Sequence, residues 1–118
     1  MEVAPRASTV PTWRLWVAPI VWAVHFLAIY ATAALACARQ GSAGGYSTAA
    51  VPWLVGAATL AASGILVWVF IGARRAGRNA ESTSRRFVEW LAAALAALVL
   101  VAVIWETLAL AWVPVCGN

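Results

Sequence analysis

Residues 13–37 read WRLWVAPIVWAVHFLAIYATAALAC. Apart from Arg14 near the start and His25 in the middle, the run carries no charged or basic side chain. About 20 consecutive apolar residues are enough for a helix to cross a hydrocarbon core of about 30 Å. Two further runs of this kind follow. Residues 49–73 read AAVPWLVGAATLAASGILVWVFIGA, and residues 87–113 read FVEWLAAALAALVLVAVIWETLALAWV. The three spans predict an all-α integral membrane fold, with one three-helix transmembrane domain over residues 1–118. Composition agrees: 64% of the 118 residues are hydrophobic and 10% are charged. Soluble domains carry about 25% charge. The polar lead and two connectors leave no room for a separate soluble domain. The stretch ALACAR imitates a signal-peptide cleavage site, but the first span is long for a signal core and follows a polar lead. It is therefore expected to stay as a span.

Every positive residue is an arginine, and the distribution is uneven. Arg6 and Arg14 precede or open the first span. Arg74, Arg75, Arg78, Arg85 and Arg86 crowd the second connector. Only Arg39 lies in the first connector, and none follows the third span. Positive residues near span ends stay in the cytoplasm. The expected topology is a multi-pass protein of the bacterial inner membrane, N-terminus cytoplasmic and C-terminus periplasmic. The cluster Arg74, Arg75, Arg78, Arg85 and Arg86 is either a topology signal alone or a surface for anionic lipid or a partner's acidic face. In this topology Cys37 and Cys116 share the outer side, which is oxidising. A disulfide between the ends of the first and third spans is expected, if the Cα atoms come within about 7 Å. Unpaired thiols or a metal pair are the alternatives, and two cysteines without nearby histidines make a poor metal site.

Local signals place the helix ends. Pro19 should loosen the first span, whereas Pro52 falls in a first turn, where proline is tolerated. Pro114 stops the third span, and residues 82–84 (STS) offer N-cap hydroxyls. Residues 41–47 (GSAGGYS) suggest a flexible outer loop. Six of the eight tryptophans lie near span ends, as interfacial belts require, while Trp22 and Trp105 lie deeper. Gly56, Ala57, Ala61, Ser63 and Gly64, with Ala93 and Ala97, suggest faces for close helix approach.

His25 falls near the midpoint of the first span, and Glu106 in the outer half of the third. Ionisable groups at such depths are costly and face protein or water. His25 is about 18 Å of helix from Cys37, and Glu106 at most about 15 Å from Cys116. A Cys37–Cys116 bond would bring the two groups to nearly the same level, where a His25–Glu106 hydrogen bond becomes feasible. The pair has four readings: a structural interhelical bond, a proton-relay step, haem ligation by His25 completed by a partner, or docking against another subunit. Tyr30 and Thr32, further along the first span, could extend a polar track outward. There is no phosphate-binding loop, dinucleotide fingerprint or catalytic triad set, so no catalytic residues and no metal set are expected. Lysine and aspartate are missing altogether, and nothing suggests a nucleic-acid partner.

The stretch PIVWAVHFLAIYATAALACAR, residues 19–39, resembles the first span of small three-span proteins encoded beside bacterial haem–copper cytochrome c oxidases. The matching residues are Pro19, Trp22, Ala23, His25, Phe26, Tyr30 and Cys37, and Val21 stands where leucine is usual. The likeness covers about the first third of the chain. It implies association with a haem–copper oxidase or a related respiratory complex, as an accessory subunit or in assembly; with the catalytic motifs missing, the chain is expected to be a non-catalytic subunit without a cofactor of its own. Its partners would be the larger subunits and the lipid bilayer. Two alternatives remain open: a haem b electron-transfer subunit sharing its haem with a partner, or a copper or assembly factor.

Overall fold

A computed structural model describes residues 12–39, 49–114 and 116. The N-terminal lead with Arg6 and the glycine-rich stretch 41–47 lie outside them. The described residues form three α-helices and no strand: α1 (Trp13–Ala38), α2 (Ala50–Arg78) and α3 (Thr83–Trp112). Each is long and apolar enough to cross a membrane.

The helices rise, return and rise again. Cys37 at the end of α1 and Cys116 beyond α3 are joined by a disulfide, with their Cα atoms 5.5 Å apart. At the opposite end Arg14 of α1 reaches Glu89 of α3. These ties make α1 and α3 parallel, with α2 antiparallel to both and packed most extensively on α3. The bundle thus has a disulfide end and an arginine end.

The helices run further at the arginine end than the apolar runs alone predict. α2 continues past residue 73 through Arg74, Arg75 and Arg78, and α3 starts at Thr83 rather than 87. The connector shrinks to residues 79–82, and the five arginines sit on helix ends rather than in a loop. Arginine and alanine favour helix strongly, so RRAGR need not unwind where lipid ends. α3 then begins with a capped turn, in which Ser82 Oγ accepts a hydrogen bond of 3.2 Å from the Arg85 backbone N–H. α1 runs unbroken through Pro19, although proline removes one bond of the helical ladder. Pro114 lies just past the end of α3.

The interior is thin and built from small side chains. Ala18, Ala62, Ala73, Ala92, Ala93 and Ala96 are buried around Leu66, Val69 and Val103. Small residues at crossings let backbones approach closely, and dispersion contacts then hold helices together in lipid. The expected small-residue face of α2 is rotated in the fold. Ala57, Ala61 and Gly64 are exposed, and a methyl at Gly56 or Gly64 would meet nothing within 4 Å. Ala62 and Ala73 make the contact instead. Large apolar residues cover the outside, Trp53, Leu60, Trp105 and Trp112 among the most exposed. Such a surface would drive aggregation in water and suits a hydrocarbon surrounding.

Candidate functional site

Polar side chains gather at two levels of the bundle. The first level is at the arginine end. Glu89, in the second turn of α3, is fully buried, and Arg14 Nη1 lies 2.9 Å from both its carboxylate oxygens. Gly72 and Gly77 of α2 lie against the pair, and a methyl at either would make ordinary van der Waals contact with it. A methyl at Gly72 would sit 3.8 Å from Arg14 Nη2, and one at Gly77 would sit 3.4 Å from Glu89 Cβ. Arg14 also lies over the Trp13 ring, 5.1 Å from its centroid. A buried carboxylate is tolerable only when a counter-charge and hydrogen bonds offset its desolvation, and one arginine here supplies both.

The second level is at the midpoint of α1 and includes the residues singled out from the sequence. His25 is 3% exposed. Its Nε2 lies 3.1 Å from Thr59 Oγ1 of α2, and that hydroxyl lies 3.0 Å from Thr107 Oγ1 of α3. Each hydroxyl also lies 2.8 Å from a carbonyl of its own helix, Val55 for Thr59 and Val103 for Thr107, so one of the two must give up that backbone bond to donate its single proton across the threonine pair. Glu106, one residue before Thr107, accepts from the Trp22 indole at 2.8 Å through Oε1. Its Oε2 faces His25 Nδ1 at 3.6 Å, too far for a hydrogen bond. These two atoms are buried, and neither has a hydrogen-bond partner. His25 and Glu106 are thus neighbours held apart by a short gap, each anchored by a different group.

The gap has simple proton arithmetic. If Nε2–H donates to Thr59, Nδ1 of a neutral imidazole carries a lone pair aimed at a carboxylate oxygen. One added proton turns that opposition into an attraction, whether it sits on nitrogen or on oxygen. The other tautomer places Nδ1–H toward Glu106 and requires the Thr59 hydroxyl to turn from Val55 to Nε2. The node brings side chains of all three helices together: His25 of α1, Thr59 of α2, and Glu106 and Thr107 of α3.

Tyr30 and Thr32 do not extend this node. Tyr30 is five residues from His25, about 140° around the helix, and is exposed. Thr32 donates to the Ala28 carbonyl of its own helix at 2.7 Å. Polar contacts run sideways through Thr59 and Thr107 instead of along α1. Tyr30 ends an aromatic ladder on the outside of α1. Trp22 stacks on Phe26 at 5.9 Å between ring centroids, and Phe26 on Tyr30 at 6.4 Å.

Between the node and the disulfide lies a cavity of about 320 Å³, lined by Ile29 and Ala33 of α1, Pro52 and Gly56 of α2, and Thr107 and Leu110 of α3 among others. Among the described residues no cluster of three or more metal-ligating side chains occurs. The Arg14–Glu89 pair, Thr59, Thr107 and the Trp22 indole are absent from the sequence-based set. An arginine opening one span and a glutamate three residues into another run was the available signal for the ion pair. Comparison with protein-family models, with curated proteins and with solved structures gives no match to this chain.

Proposed function

We propose that the chain is a non-catalytic small accessory subunit of a larger membrane complex, held in the bilayer with its arginine end cytoplasmic and its disulfide end periplasmic. The observation that carries this reading is one continuous outer surface: the side chain of Glu106, 26% exposed, beside the ladder Trp22, Phe26 and Tyr30. This surface lies near the midpoint of α1. Tyr30 is about 7 Å along the helix from that midpoint, inside a hydrocarbon half-thickness of about 15 Å. A partly exposed glutamate side chain and a phenol facing lipid tails are costly. A partner helix laid over them removes that cost and supplies an acceptor for the Tyr30 hydroxyl. The choice of a respiratory haem–copper oxidase as the partner complex, in a bacterial inner membrane, rests on the resemblance of residues 19–39 alone.

Geometry weighs against the two alternatives. An axial haem ligand needs a ring nitrogen open to the iron. Both His25 nitrogens face side chains of the same bundle, and the ring is almost fully covered. A copper-delivery role needs free thiolates, and Cys37 and Cys116 are bonded to each other.

The test is purification of the tagged chain from its native membrane in mild detergent. Co-purifying chains are identified by mass spectrometry, and a reduced-minus-oxidised spectrum is recorded. Oxidase subunits in near-equal amounts are expected, and replacing Tyr30 and Phe26 by leucine should release them. A chain that purifies alone refutes the subunit reading. A haem signal that follows the isolated chain and vanishes in His25→Ala refutes it in favour of the electron carrier.

A further inference from the structure

The ion pair leaves most of the positive charge at the arginine end unbalanced. A groove of about 300 Å³ opens there between the end of α2 and the start of α3. Arg74 and Arg78 of α2 and Arg86 of α3 line it, with Ala73, Gly77 and Trp90. Among the described residues the only carboxylates within 4 Å of a basic nitrogen are Glu89, beside Arg14, and Glu106, beside His25. The three groove arginines therefore have no acidic partner there. Two of them are held in place by other contacts. Arg74 lies over the Phe70 ring, 5.9 Å from its centroid, and Arg86 Nη2 donates to the Ala80 carbonyl at 3.3 Å.

The groove is also at the right height. The last turn of α2 begins about 36 Å from its other end, just beyond a hydrocarbon core of about 30 Å. Trp90 on the groove wall is more than half exposed, as suits an indole at the edge of the headgroup layer. Guanidinium groups match phosphate oxygens in geometry and charge. Basic pockets between spanning helices on the cytoplasmic side are known headgroup sites.

We propose that this groove binds the phosphate of an anionic phospholipid, with Arg74, Arg78 and Arg86 as its ligands and the acyl chains running along the exposed apolar face of Trp90. The lipid neutralises charge that the protein leaves unpaired, and it bridges the end of α2 and the start of α3 beyond their packed core. The proposal is independent of what partner the protein has.

The test uses the full chain in mild detergent. Native mass spectrometry with equal amounts of phosphatidylglycerol and phosphatidylcholine should show preferential retention of the anionic lipid. Each arginine near an anionic headgroup contributes about fivefold in affinity. R74Q/R78Q should therefore weaken retention roughly thirtyfold. R75Q/R85Q removes the same charge outside the groove and should change it little. Equal retention of the two lipids by the unaltered chain overturns the proposal, and this measurement needs no variant to fold. Equal losses in the two double variants overturn it as well, by showing a diffuse surface charge. Inorganic phosphate that displaces the lipid at matched concentration points to a free-anion site and refutes the lipid. An oligoglutamate peptide bound in preference to phosphatidylglycerol would assign the groove to an acidic protein segment instead.

Discussion

Removing either partner of the Arg14–Glu89 pair should harm the fold unequally. Glu89 is fully buried, whereas the Arg14 side chain keeps 22% of its surface exposed near a helix end. In Arg14→Met the arginine stem is kept and the charge is lost. Glu89 then keeps its carboxylate with no counter-ion, and stranding a buried charge costs about 3–5 kcal/mol. In Glu89→Gln the side chain keeps its shape and one oxygen acceptor. Arg14 can then turn its guanidinium toward the headgroups, so the loss is that of a charge-assisted hydrogen bond, about 1.5–3 kcal/mol. The expected order is R14M worse than E89Q by about 2 kcal/mol. The double variant R14M/E89Q should fall short of the sum of the two losses by at least about 1 kcal/mol, because the second change removes the stranded charge. The assay is unfolding in mixed micelles of rising dodecyl sulfate content, followed by tryptophan fluorescence with the disulfide intact in every variant. Equal single losses that add fully in the double variant would refute the reasoning, since two independent surface charges behave that way.

Four further outcomes are expected. Without reductant, alkylation and intact mass should find no free thiol, and two alkylated thiols would remove the brace. Replacing the cysteines by serine should lower stability by at most about 4.5 kcal/mol, the chain-entropy value for a loop of this size, and by less where lipid already confines the helix ends. His25→Ala and Glu106→Ala should each destabilise, and their double variant should be less than additive by about 0.5–2 kcal/mol, measured in the same unfolding assay; full additivity would argue against contact across the gap. Gly64→Ala adds a methyl into open space within α2. It should stabilise by about 0.5–1 kcal/mol, and a loss of that size would show that the site is packed.

Three helices could be read directly from the sequence because hydropathy is a local property and each span declares itself. The approach of His25 to Glu106 was also accessible. It follows from the fixed rise of a helix measured back from two cysteines. What could not be read depends on rotation about the helix axis. Thr59 and Thr107 look like ordinary helical threonines bonded to their own turns, and only packing turns both toward His25. Glu89 passed as part of an apolar run, and Arg14 as a topology signal, since nothing local links positions 75 residues apart. The helices extend past residue 73 and begin before residue 87 for a related reason. Hydropathy marks where lipid stops, while helix propensity decides where the backbone bonds stop.

The disulfide has a consequence for biogenesis that concerns parity. Two helices long and apolar enough to cross a membrane, α2 and α3, separate Cys37 from Cys116. The bond can close only if both thiols reach the same side of the bilayer, so α2 and α3 must both have crossed or neither. A chain arrested after one crossing keeps its sulfurs on opposite faces, where no oxidant can join them. Migration on a non-reducing gel therefore counts crossings: the faster, cross-linked species selects molecules whose second and third spans agree.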